Sequence, residues 1–83
     1  MYMNDFTIKT PKQMGAVLRG YRTSKTLSQQ GVGMRAALPQ PIISNVESGS
    51  GRIALSRLLK VLAALDLELV VRPKSKKDTS AEW

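Results

Sequence analysis

Gln40 and Ser44 stand four residues apart with Asn45 adjoining, and Gln29 precedes them by one short segment. Amide and hydroxyl side chains offer both donors and acceptors, so such a set recognises a ligand by hydrogen bonding. Arg35 and Arg52 add fixed positive charge nearby, and Lys25 lies just upstream. The parts of a catalytic centre are scarce. There is no histidine and no cysteine, which removes imidazole bases, thiolate nucleophiles and the commonest zinc ligands. Asp66, Glu68, Asp78 and Glu82 fall late in the chain, and Gly49-Ser50-Gly51 lacks the spacing of a phosphate-binding loop. An enzyme is the least expected class, and neither metal nor other cofactor is expected.

Thirteen Lys and Arg against six Asp and Glu give a formal net charge of +7 over 83 residues. That excess suits nucleic acid, an anionic membrane or a solvated basic exterior, and its distribution favours the first. From Thr10 to Lys60 the basic residues are Lys12, Arg19, Arg22, Lys25, Arg35, Arg52, Arg57 and Lys60, and Glu47 is the only acid. The globular part therefore carries the field. Met1 to Thr10 lacks the charged start and apolar run of a secretory signal. Nothing approaches the ~18 apolar residues of a membrane span. A soluble, cytoplasmic, nucleoid-associated protein with no membrane partner is expected.

The elements that position these residues are legible from periodicity and capping. Thr10-Pro11-Lys12-Gln13 reads as a capped helix start, and Met14, Val17, Leu18 and Tyr21 follow at helical spacing, predicting a helix from Pro11 to about Ser24. Ser28 can cap a second helix, Gln29 to about Ala36, with Val32 and Ala36 inward. Gly31 and Gly33 weaken it unless they permit close packing. Pro39 and Pro41 suit the start of a third helix, Gln40 to about Glu47, with Ile43 and Val46 inward. A fourth, Leu55 to Leu65, carries Leu55, Leu58, Leu59, Leu62 and Leu65. Leu67 to Arg72 is rich in branched residues and reads as a strand ending before Pro73. A lone strand leaves its backbone unpaired, so Leu67, Leu69, Val70 and Val71 are expected to pair with a second copy and form a homodimer. The alternative is an irregular arm ordered by packing alone. The expected organisation is an arm over 1–10, one domain over 11–73 and a flexible polar tail over 74–83 whose final residue, Trp83, invites a partner. A domain this small gains from a partner in any case.

Two short helices joined by a tight turn form a helix-turn-helix unit, whose second helix enters the major groove of DNA. In that frame Gln40 offers a bidentate amide to adenine, Ser44 and Asn45 reach bases or phosphates, and Ile42 can meet a thymine methyl. Ser28 and Gln29 stand where a helix start can grip a phosphate, Pro39 and Pro41 frame the reading helix, and Arg35 and Arg52 supply sequence-independent attraction.

Leu27-Ser28-Gln29, Val32, Ile43-Ser44-Asn45-Val46-Glu47-Ser48-Gly49 and Leu58 to Leu65 together resemble the lambda-repressor and Cro-like (XRE) helix-turn-helix family from about Pro11 to Leu67. Gln40, Ile43-Ser44-Asn45, the segment Leu69 to Arg72 and the ending Glu82-Trp83 are similar to antitoxins of the HipB type. That resemblance implies a mostly α bundle with a C-terminal strand paired across a homodimer. It also implies autorepression at an operator and a complex with a HipA-type serine/threonine kinase toxin, engaged through the terminal Trp83. A plain helix-turn-helix repressor without a toxin partner, and a protein-interaction subunit that has lost its DNA role, are the competing readings. Ala37 stands where the family usually has a turn glycine, which requires a left-handed alanine or a changed turn.

Overall fold

The computed structural model describes residues 5–50 and 52–74. Four helices follow one another: α1 (Pro11–Ser24), α2 (Gln29–Ala36), α3 (Gln40–Ser48) and α4 (Leu55–Ala64). Thr10 Oγ1 accepts from the Gln13 amide N–H at 3.1 Å while Gln13 Oε1 accepts from the Thr10 N–H at 3.2 Å, the reciprocal box that opens α1. Ser28 Oγ caps α2, accepting from Gly31 N at 2.9 Å. The helix α3 packs against both α1 and α2, and α2 packs against α4. Leu18, Val32, Ile43, Val61 and Leu65 are almost wholly buried at the centre. Among the described residues no helix is long and apolar enough to cross a membrane.

All four helices end in the same way. In each, a residue with positive φ turns the chain back, and the next N–H donates to a carbonyl five residues earlier. These residues are Thr26 (φ 55°), Ala37 (59°), Gly49 (78°) and Asp66 (61°). The closing bonds run from Leu27 N to Arg22 O, Leu38 N to Gly33 O, Ser50 N to Asn45 O and Leu67 N to Leu62 O. Leu27, Leu38 and Leu67 then fold onto the core, so burial of a leucine offsets the strain of a left-handed residue that has a Cβ. Ala37 adopts the left-handed conformation outright, and the turn keeps its geometry.

Two glycines set the helix spacing. A Cβ on Gly15 would run into the carbonyls of Val46 and Glu47, so α1 lies directly on the C-terminal backbone of α3. A Cβ on Gly33 would sit 2.6 Å from Leu38 O. That contact gives Gly33 a packing role that outweighs its cost to helix propensity. In contrast, nothing lies within 4 Å of the equivalent position at Gly20.

The expected strand is absent. No strand occurs among the described residues, and Leu67 to Lys74 runs as an irregular segment, so the strand paired across a homodimer is not part of this fold. The β preference of Leu69, Val70 and Val71 expresses packing against cross-strand neighbours, and the described residues supply none. Leu67 instead closes α4 and packs on the core, while Arg72 reaches Asp5 at 3.4 Å. Phe6 meets Tyr21 edge-on at 6.0 Å, anchoring the segment before α1. The leucine stripe of α4 also needs correction. Its buried arc runs through Leu62, Leu65, Val61 and Ala64, leaving Leu55 at 61% and Leu59 at 44% exposure on the edge.

Gly15→Ala should lower stability by about 1–3 kcal/mol through backbone overpacking, whereas Gly20→Ala should raise it by about 0.5–1 kcal/mol. Urea unfolding of the two variants measures both signs. Ala37→Gly should stabilise by about 0.5–1 kcal/mol, the relief of left-handed strain less the added freedom of the unfolded chain. An unchanged or lower melting temperature for Ala37→Gly would contradict the turn geometry.

Candidate nucleic-acid interface

The first residue of α3, Gln40, is exposed beside the first residue of α2, Gln29, because the turn over 37–39 brings the two helix starts together. Gln40 Nε2 donates to Gln29 Oε1 at 2.6 Å, and Gln29 Nε2 donates to Glu47 Oε1 at 3.1 Å. Glu47 in turn accepts from Arg22, from Nε at 2.6 Å and from Nη2 at 3.1 Å. Arg22 Nη1 donates to Leu27 O at 2.8 Å. The side chains of Arg22 and Glu47 keep only 12% and 6% of their exposure. A pair so poorly solvated holds together because its remaining polar atoms are also occupied. A continuous chain of hydrogen bonds thus leads from the buried ion pair to an exposed amide at the start of α3.

This arrangement leaves Gln40 with one N–H and its Oε1 unused, both on an amide whose orientation is already fixed. Asn45 is exposed and Ser44 half-buried, one turn further along α3. Pro39 and Pro41 bracket Gln40, and Pro39, with φ −63°, precedes the helix without a side-chain cap. Ser28 is exposed, with its Oγ accepting the capping bond of α2. Arg52 is exposed beyond the C-terminal end of α3. Ile42 is half-buried and lines a cleft with Asn45.

Other expected residues sit apart from this face. Arg35, near the opposite end of α2 from Gln29 and about 9 Å further along its axis, donates Nη1 to Ala64 O at 3.4 Å and covers the C-terminal end of α4. Lys25 pairs with Asp66 at 3.3 Å. Leu67 is half-buried against the core, whereas Leu69, Val70 and Val71 are 50%, 66% and 92% exposed. Trp83 lies outside the described residues.

Sequence reasoning assigned no role to Arg22 or Glu47. The signal was present, since Glu47 is the lone acid in a basic stretch, but its partner is 25 residues away and no local rule joins them.

Residues 18–71, more than half of the chain, match the family described as Helix-turn-helix. The chain belongs to this helix-turn-helix family. A relative from Sinorhizobium fredii, the uncharacterized HTH-type transcriptional regulator y4dL, is 40% identical over 57 residues. That stretch covers 69% of this chain and 29% of the relative, so the chain spans under a third of its length. The restriction-modification controller protein C.AhdI from Aeromonas hydrophila superposes with a TM-score of 0.65 at 34% identity, covering 70% of this chain and 88% of its own. HipB, in a HipB-O4 20mer complex, superposes with a TM-score of 0.79 at 21% identity, covering 86% of this chain and all of that one. A HipA-HipB-O2-O3 complex gives the same TM-score, identity and coverage. At this identity the HipB likeness is one of fold.

Removing one partner of the buried pair, as in Arg22→Ala, should cost about 3–5 kcal/mol by stranding the other charge. The double variant Arg22→Met with Glu47→Leu should recover much of that loss. Denaturant unfolding tests this, and additive losses in the double variant would show that the two side chains do not act as a pair.

Proposed function

We propose that the chain is a DNA-binding transcriptional regulator that lays α3 in the major groove, with α2 bracing it from behind. The observation that carries this reading is the Gln29–Gln40 hydrogen bond, because it presents a pre-oriented amide at the exposed start of α3. The N–H and Oε1 left on Gln40 match the N7 acceptor and N6 donor of adenine. Ser44 and Asn45 extend the reading along the same helix. Ser28 and Gln29 at the start of α2, Pro39 and Pro41 around Gln40, and the charge of Arg52 frame the phosphates on either side, whereas Arg35, turned to Ala64 O, stands away from them. Membership of the helix-turn-helix family and the excess of positive charge support the same direction.

The functional unit is a homodimer on a two-fold operator, in keeping with the small core and with the exposed Leu69, Val70 and Val71, which a second copy can cover by side-chain packing. A finer reading makes the chain an antitoxin that represses its own operon, acts in the cytoplasm and binds a HipA-type kinase toxin, with Trp83 as a contact. Its support is the fold shared with HipB over the whole of that chain, including in the HipA-HipB-O2-O3 complex.

Anisotropy titrations with DNA from upstream of the gene should show salt-sensitive binding. Gln40→Ala together with Asn45→Ala should weaken specific binding by about 1–3 kcal/mol per lost bidentate contact and spare binding to scrambled DNA. Specific affinity that survives both changes would refute the placement of α3. Deleting Ala81 to Trp83 should weaken capture of a co-expressed HipA-type kinase and leave operator binding intact; equal capture would remove the role of Trp83.

A further inference from the structure

A cleft of about 320 Å³ lies between α3 and the start of α4, lined by Ile42, Asn45, Arg52, Ile53, Ala54 and Arg57. Two of its residues belong to α3, and two are arginines, Arg52 from the α3–α4 loop and Arg57 from the first turn of α4. Three other arginines are spent within the fold: Arg22 on Glu47, Arg35 on Ala64 O and Arg72 on Asp5. Among the described residues the guanidinium groups of Arg52 and Arg57 have no hydrogen-bond or ion-pair partner, and both side chains belong to exposed residues. Glu47 is neutralised by Arg22, while Asp66 and Glu68 follow the far end of α4, about 15 Å along the helix. Among the described residues no acid lines the cleft to compensate these two positive charges, and Ile42, Ile53 and Ala54 form its apolar walls. Low-dielectric walls strengthen attraction for an anion and do nothing for a neutral ligand.

We infer that this cleft is a phosphate clamp, in which Arg57 with Arg52 holds one phosphodiester of the DNA strand flanking the base pairs read by α3. The inference rests on the major-groove reading of α3 and adds Arg57, a residue outside the reading unit, as a determinant of affinity and register. Arg52 lies within the α3–α4 loop and Arg57 sits on the first turn of α4, so the clamp ties the strand to a second, rigid element. A planar guanidinium suits a phosphate through two parallel hydrogen bonds, which a lysine cannot reproduce. Because every phosphodiester is alike, the clamp adds affinity without sequence preference.

The test uses the full chain, a duplex selected from a random pool by the unaltered protein, and a scrambled duplex of equal length. Arg57→Ala should weaken binding to both by about tenfold, and should reduce the slope of log affinity against log salt by about 0.9. Arg57→Lys should keep the slope and recover part of the affinity. Replacing single phosphates by neutral methylphosphonates should reveal one position that weakens the unaltered protein but not Arg57→Ala. Unchanged affinity and slope in Arg57→Ala, with Gln40→Ala still reducing specific binding, would overturn the clamp and leave the major-groove reading standing. Loss confined to the selected duplex would also overturn it, by making Arg57 a reader of bases. An unaltered protein that binds neither duplex would overturn both the clamp and the reading beneath it.

Discussion

The carboxylate of Glu47 is shared by three helices: it belongs to the last turn of α3, neutralises Arg22 on α1 and accepts from Gln29 on α2. Burying one charge of either sign here without the other would be costly, so the pair can exist only when α1 and α3 are docked. Docking at that range is possible because Gly15 presents no side chain to the carbonyls of Val46 and Glu47. Arg22 adds a bond to Leu27 O, which holds the turn between α1 and α2. One electrostatic constraint thus fixes the mutual placement of α1, α2 and α3.

The same constraint reaches the surface. Gln29 is oriented by Glu47, and Gln40 by Gln29, so the amide at the start of α3 inherits its direction from a buried ion pair through two intervening hydrogen bonds. For the proposed contact with a base edge, pre-orientation matters because a free glutamine loses rotamer entropy on engaging its partner, and that loss subtracts from affinity. Charge is divided in a similar spirit. Arginines with internal partners hold the fold, whereas Arg52 and Arg57 have no partner among the described residues and stand beside α3.

Left-handed residues close all four helices, yet only Gly49 is a glycine. Local strain at Thr26, Ala37 and Asp66 is tolerated because Leu27, Leu38 and Leu67 are carried into the core immediately afterwards. The turn between α2 and α3 is therefore held by burial on one side and by the tight approach of Gly33 to Leu38 O on the other. A helix-turn-helix unit needs that turn to be rigid, since the angle between its helices decides which α3 residues reach the groove.

Much of this was legible in the amino-acid order. Helix starts follow from Thr10, Ser28 and Pro39-Gln40-Pro41, the inward residues of α1 to α3 from their period, and the helix-turn-helix order from the elements taken together, because capping and amphipathicity are local properties. Residues Gln40, Ser44 and Asn45 were identifiable as polar groups off the inward face of α3 for the same reason. What escaped was set by neighbours distant in sequence. The ion pair of Arg22 with Glu47, the diversion of Gln29 and Arg35 to internal partners and the exposure of Leu55 and Leu59 all depend on how the helices dock. The opposite error occurred at Leu67 to Arg72, where a local preference predicted a strand. A strand exists only when another lies beside it, and among the described residues of this chain none does. The sequence by itself determined which segments are helices and which polar residues α3 carries off its inward face; the tertiary structure decided how those residues are aimed, through a buried charge that only the docked helices can hold.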